Sequence, residues 1–386
     1  MKRRVGQAAA AMCICALGLT MGCGNFFVYP GSLPGGSSSS TGDYVYVANA
    51  STETLAGFSV SSATLTATTG SPYSLGFIPN AVAVNPANTI VFVAGISGLS
   101  GFINAYSIGS GGALSLLVSN NVGVADEVSI DISPDGQWLL GLDANGPAAS
   151  EAIVDKYQIN SSTGQLTLGT GAVYAFPTGS PTIVPLALRF APNGDYVFAA
   201  VGTAGDLVFP FTTSNGTLST PLQLSLGTGT SDNALAVNAS STYLYIARSG
   251  TLGGLAVYTI GGGGALSEVT GSPFTAGSHP LSVVLNKAGT DVYVANQLDG
   301  TISEYSIISS SGTVAALSPA TITAPSAPWA LAVDNSGDYL FSISNAGSPD
   351  LALFSYDSTT AGKLDLAADG TTGTDPTQPV AIATTH

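Results

Sequence analysis

At 386 residues, with 48 Gly, only 8% charged residues and 45% hydrophobic ones, the chain is too apolar and too weakly charged for a disordered protein. Its formal net charge of −15 argues against a nucleic-acid partner, which needs clustered cations to displace phosphate counterions. Apolar residues come in short runs that suit many strands and turns, and only the N-terminus holds a continuous one.

That N-terminus, "MKRRVGQAAAAMCICALGLTMGC", has Lys2, Arg3 and Arg4 ahead of an apolar stretch and small residues before Cys23. It reads as an export signal over 1–22. "LTMGC" is similar to a bacterial lipobox, although Thr20 and Met21 depart from the usual pattern. The expectation is a lipid on Cys23, with simple secretion or an uncleaved anchor as the alternatives. All three cysteines, Cys13, Cys15 and Cys23, lie here, so a chain cut before Cys23 forms no internal disulfide. Removing the signal leaves Lys156, Arg189, Arg248, Lys287 and Lys363 against 23 acidic residues. Residues 23–41, rich in Gly, Ser and Pro, predict a tether.

From residue 42 onward one pattern recurs: alternating apolar and small residues after a proline, a turn rich in Asn, Asp and Gly, then a strand with a central large apolar residue. Phe92, Leu140, Phe198, Tyr245, Tyr293 and Phe341 share one register 47 or 48 residues apart, except for 58 between Leu140 and Phe198. A period in the forties with several short strands is that of propeller blades. A seventh copy is divided between the ends: "PVAIATTH" from Pro379 supplies the first strand and "TGDYVYVAN" the second, through Tyr46. The prediction is an all-β, seven-bladed propeller over 42–386, with four antiparallel strands per blade. Pairing the C-terminal strand with the N-terminal blade closes it and removes a free edge. The extra residues of the third repeat, around "DANGPAASEAIVDKYQINSSTG", are expected to form an extended loop.

Inner strands carry a small residue at Ala81, Ser129, Ala187, Ala234, Ser282, Ala330 and Ala381, then a branched one at Val82, Ile130, Leu188, Leu235, Val283, Leu331 and Ile382. Alternation puts these on opposite faces. The expectation is that the small face lies where blades crowd and the branched face fills a wider gap.

With "YVAN" at Tyr46–Asn49 and Tyr293–Asn296, the chain resembles the seven-bladed lactonase-like propellers, the YVTN repeat family, from about Gly42 to His386. That resemblance implies work on lactone rings at one channel mouth. Family enzymes commonly carry Arg-His after an inner-strand proline and a Glu past the next strand. Here Asn80-Ala81, Leu186-Ala187, Leu281-Ser282, Trp329-Ala330 and Val380-Ala381 follow the prolines, and Ala50 and Gln297 stand where the Glu is expected. Lactone opening needs a base and cations for an anionic substrate, and neither is conspicuous.

The predicted mouth comprises inner-strand starts Asn80, Asp126, Glu127, Asp232, Asn233, His279 and Trp329, with second-strand ends Asn49, Asp143, Arg248 and Asn296. No catalytic set is assigned among them. His279 has no nucleophile or orienting acid nearby in sequence. No compact loop of metal-binding spacing joins Asp126, Glu127, Asp143 and Asp232, so neither a metal nor a cofactor is expected. Asp131 and Arg189 share a register in consecutive blades and are expected to form an ion pair in the channel. The functional expectation is an exported, extracytoplasmic scaffold binding a small molecule, glycan or protein at its mouth, with a membrane reached only through Cys23; the alternative is a lactone hydrolase with a rearranged site.

Overall fold

The computed structural model describes residues 42–144, 150–373 and 378–386. The export signal, the tether and Cys23 lie outside the described residues. Seven antiparallel sheets follow one another in chain order. Their inner strands are Pro379–Thr384 in blade 1, Ile78–Val84, Glu127–Ile132, Ala187–Phe190, Thr230–Val237, Pro280–Leu285 and Ala330–Val333 in blade 7. Each blade has the inner, second, third and outer strands in order, the outer strand being split into two segments in blades 1, 3 and 4. The described helical residues are two single 3-10 turns, Ser110–Gly112 and Gly262–Gly264.

The ring closes as the ends of the sequence predict. Thr384, Ala383, Ile382 and Ala381 oppose Val45, Tyr46, Val47 and Ala48. Thr385 donates its N–H to the Tyr44 carbonyl at 3.0 Å and accepts the Tyr44 N–H on Oγ1, also at 3.0 Å. Asn88 of blade 2 then holds the last residue, its Oδ1 accepting the His386 N–H and its Nδ2 donating to the His386 carbonyl, both at 2.8 Å.

The core is a set of seven layers, one in each seam between neighbouring blades. Tyr46, Phe92, Leu140, Phe198, Tyr245, Tyr293 and Phe341, the register read from the repeat, are all 0% exposed. Burying such a side chain is worth roughly 1.5–3 kcal/mol. The small and branched faces do not occupy different gaps, as the sequence suggested. Each seam sets the small face of one blade against the branched face of the next: Ala81 and Ala83 pack with Ile130 and Ile132, and Ala187 packs with Leu235. A small residue opposite a branched one fills the seam at constant width.

Hydroxyls at the small position have a second task. An inner strand has only one strand partner, so its outward N–H groups need acceptors. Ser129 Oγ accepts the Leu188 N–H and Ser282 Oγ the Leu331 N–H, each at 3.0 Å and each in the next blade. Blades also latch at their outer hairpins, where the Tyr46 and Tyr293 hydroxyls donate to the carbonyls of Gly112 and Gly362 at 2.9 and 2.7 Å. Blade 3 has Leu140 at that register, and there Lys156 Nζ donates to the Gly216 carbonyl at 2.6 Å while lying over the Trp138 ring.

Much of the stretch expected to be a loop in the third repeat is strand. Glu151–Ile159 is the third strand of blade 3, and residues 176–186 form a long connection to blade 4. The charges of Glu151, Asp155 and Lys156 disguise the alternation, because Lys156 is buried by its latch to the next blade.

Candidate functional site

Inner-strand starts lie beside second-strand ends, as Glu127 opposes Asp143, Asp232 opposes Arg248 and Pro280 opposes Asn296. These positions define one face, the predicted mouth. The second-strand ends do not line it: Asn49 and Asn296 are 0% exposed, Arg248 4% and Asp143 6%. Asn49 Nδ2 reaches the Thr372 carbonyl at 3.3 Å. Asn296 Oδ1 accepts the Gly277 N–H at 3.0 Å, and its Nδ2 donates to Ser303 Oγ at 2.9 Å. The "YVAN" asparagine therefore ties the connection between blades to the third strand, which explains its recurrence without a ligand.

Several residues that do reach the rim are staples to the next blade. Asn80 Nδ2 donates to Asp126 Oδ1 at 2.5 Å, Asn233 Nδ2 to the Pro280 carbonyl at 2.7 Å, and Trp329 Nε1 to the Val380 carbonyl at 3.1 Å. His279 is exposed, has a φ of 59°, and shares a 2.8 Å hydrogen bond between Nδ1 and Gln297 Oε1. Among the described residues no carboxylate is hydrogen-bonded to it.

The Asp131–Arg189 pair is not made. Asp131 instead accepts the N–H groups of Ile132 and Phe190 at 2.9 and 2.8 Å, acting for blade 4 as Ser129 does. Arg189 is exposed and donates to its neighbour Leu188's carbonyl at 2.9 Å. Burial raises the Asp131 pKa, and the Arg189 charge works against that rise from a distance.

Two buried acidic groups emerge, each in a seam at the mouth end. Glu127 is 1% exposed between blades 2 and 3. Its Oε1 accepts the Tyr157 hydroxyl at 2.8 Å, and its carboxyl group is in hydrogen-bonding reach of the Asp155 carboxyl. Burial, then the charge of Asp155, pushes its pKa well above the usual carboxylate range. Asp126 is half-buried and also raised, by burial and then by Asp143, whose Oδ1 accepts the Asp126 N–H at 2.8 Å. Between blades 4 and 5, Asp232 is 0% exposed and binds Arg248 through both oxygens, at 2.6 Å to Nε and 2.8 Å to Nη2. Asp206, which begins the third strand of blade 4, completes this second group. Sequence reasoning missed Asp155, Tyr157 and Asp206, because each sits on a third strand whose register was not traced.

Among the described residues no three His, Cys, Asp or Glu side chains are grouped to hold a metal. A cleft of about 470 Å³ opens on the outer side of blade 6, lined by Thr275, Gly277, Asp299, Thr301, Ser303 and Thr321. Four hydroxyls and one carboxylate are set in a lining that also includes Ala276 and Ala320, and no cation contributes.

A family profile described as a lactonase, seven-bladed beta-propeller, matches residues 129–329, more than half of the chain. A search of curated proteins finds no match. Solved structures similar to this chain include a protein of Bacteroides uniformis provisionally assigned as a 6-phosphogluconolactonase, at 14% identity and TM-score 0.71, covering 89% of this chain and 99% of that one. A periplasmic gluconolactonase of Pseudomonas aeruginosa has 15% identity and TM-score 0.69, with 89% and 99% covered. A protein of unknown function from Desulfotomaculum acetoxidans has 15% identity and TM-score 0.68, with 90% and 99% covered. At these identities the structures speak for the fold.

Proposed function

The chain belongs to the seven-bladed lactonase β-propeller family, and from that premise we propose that it is an exported scaffold that binds an uncharged polar ligand at the mouth face without turning it over. The observation that carries this reading is the disposition of Arg248: the mouth's one arginine is buried and held by both oxygens of Asp232. A phosphorylated or carboxylated lactone would meet the half-buried Asp126 with no open guanidinium to receive it. Asn80, Asn233 and Trp329 are committed to neighbouring blades. The cleft beside blade 6, with the hydroxyls of Thr275, Thr301, Ser303 and Thr321 set among apolar surface, suits a saccharide, which offers both hydroxyls and apolar C–H faces.

Purified protein is to be assayed against sugar and aliphatic lactones for turnover, and against free saccharides for a rise in the thermal midpoint. The expected result is a saccharide-dependent rise with no lactone consumed. Lactone turnover abolished by Glu127→Gln would replace the scaffold with the second reading, a hydrolase. One feature favours that alternative: burial and then Asp155 raise the Glu127 pKa well above the ordinary carboxylate range beside Tyr157, a shift toward the form a general acid requires.

Export rests on the N-terminal pattern, and lipidation of Cys23 is part of the same proposal. Radiolabelled palmitate is expected to mark the protein and to be lost in Cys23→Ser; labelling that persists in the variant rejects the anchor.

A further inference from the structure

Two neighbouring hairpin tips on the mouth face hold leucines that neither burial nor turn chemistry explains. Leu252 lies between strands Tyr243–Gly250 and Gly254–Ile260 in blade 5, and Leu298 between Asp291–Asn296 and Thr301–Ile307 in blade 6. They are 55% and 73% exposed. Tight turns favour Gly, Pro, Asn, Asp and Ser, the residues that fill turns of the opposite face such as "SPDG" and "DNSGD". One exposed leucine alone is ordinary. These two are joined by the connection from blade 5 to blade 6, in which Pro273, Phe274 and Ala276 are half-buried. Both ends of that connection are fixed. Phe274 exchanges N–H and carbonyl hydrogen bonds with Leu255 at 2.8 Å each, and the N–H groups of Gln297 and Leu298 reach the carbonyls of His279 and Ser278 at 3.1 and 3.3 Å. An apolar strip therefore runs from one tip to the next.

The carboxylates beside the strip have no open cation to answer them. At its blade 5 end Glu268, with a side chain 40% exposed, accepts the hydroxyl of Ser272, next to Pro273, at 2.9 Å. At its blade 6 end Asp299 is exposed and accepts the Ser278 N–H at 2.6 Å. Among the described residues Arg248 is buried against Asp232, Lys287 and Lys363 lie in turns of the opposite face, and Lys156 and Arg189 belong to blades 3 and 4. A second copy of this face would set carboxylate against carboxylate, and an anionic lipid surface would be repelled in the same way. An apolar centre with a polar rim is instead the layout of a protein–protein interface. The sign of this rim selects a cationic partner.

We propose that the strip from Leu252 to Leu298 is a docking surface for a protein partner that presents apolar side chains flanked by Lys or Arg. The partner's apolar residues cover the two leucines and the half-buried Phe274, and its cations meet Glu268 and Asp299. This occupant is distinct from the uncharged ligand above, because neither leucine belongs to the lining of the blade 6 cleft. Rim charges of this kind govern the rate of encounter and its salt dependence, while the apolar centre holds the complex.

The test is fluorescence anisotropy of the whole protein with a labelled synthetic peptide that carries leucine and phenylalanine between lysine pairs. Two control peptides replace the lysines by glutamate or the apolar residues by serine. Saturable binding is expected for the first peptide alone, weakened by added salt. It should be about tenfold weaker or more in the double variant Leu252→Ser, Leu298→Ser, weaker in Asp299→Asn, and unchanged in Ile308→Ser, whose site is a 48% exposed turn position on the opposite face. Equal circular dichroism and thermal midpoints confirm that these exposed changes leave the fold intact. Absence of saturable binding overturns the proposal, as does equal affinity for the serine peptide or an affinity that the double variant keeps. Two further results would replace the partner: phosphatidylcholine vesicles that bind the parent but not the double variant mean a membrane, and a dimer in sedimentation that the double variant loses means a second copy of the chain.

Discussion

Glu127 lies in a space that Gly141 leaves open: a Cβ on Gly141 would strike its carboxyl group. The side chain therefore lies flat across the second strand toward Asp155, which opposes Gly141 on the third. Burial and that neighbouring charge raise the pKa of the carboxyl well above its ordinary value in the folded chain. The sign of the pH effect follows. The folded state holds this proton more tightly than the unfolded chain, whose carboxyl titrates near 4.5. Stability from this group is fully present below that value and is lost as pH rises through the raised folded pKa. Glu127→Gln keeps the shape and the Tyr157 hydrogen bond but does not titrate. Its urea midpoint is expected to fall less steeply than wild type as pH rises above about 4.5, with a change at acidic pH of about 1 kcal/mol or less. Parallel pH profiles in the two proteins would show that Glu127 is ionised in the fold.

Strands show what periodicity reveals and what it hides. The register Tyr46, Phe92, Leu140, Phe198, Tyr245, Tyr293 and Phe341 was legible because a buried centre repeats once per blade, and that alone yields the number of blades. Alternation also separated Ala187 from Leu188, yet it does not say which neighbour each face meets, so the packing of small against branched residues emerged only in three dimensions. Polar strand ends were harder still. Asn49, Asn296 and Arg248 have the look of solvent residues in sequence, and their burial depends on connections such as residues 275–278, whose path no period encodes. The mouth was therefore read as more open than it is. At the strand scale the seam itself is testable. Ala187 is 7% exposed and packs in the layer containing Leu235 and Ile246, so Ala187→Trp must force blades 4 and 5 apart. A loss of roughly 1–3 kcal/mol or more is expected, read as a lower midpoint in thermal unfolding. An unchanged midpoint would mean that the seam has room the packing does not show.

Seven seams make a closed series, and a closed series is only as cooperative as its join. Blades 2 to 7 are each continuous in sequence, whereas blade 1 takes its inner strand from 379–384 and the rest from 44–74. That inner strand contributes Ile382 to the seam with blade 7 and Val380, Ala381 and Ala383 to the seam with blade 2, and it receives Trp329 on the Val380 carbonyl. Without it, Tyr44–Asn49 becomes a free edge able to pair with another chain, and two apolar layers lose one wall. Deleting residues 379–386 is therefore expected to cause aggregation or loss of a cooperative transition, measured by size-exclusion chromatography and circular dichroism. Mere shortening can be told apart from an opened ring by a circular permutant. The Thr385 hydroxyl donates to the Gly42 carbonyl at 3.0 Å, so a short linker can join His386 to Gly42, and new ends fit in the hairpin at Leu99, which is 91% exposed. This protein keeps every strand and makes the old join covalent, so its thermal midpoint should stay near that of the parent. A truncated chain that melts cooperatively at the parent's temperature would mean that the other six seams suffice, and that the shared blade contributes little to the stability of the ring.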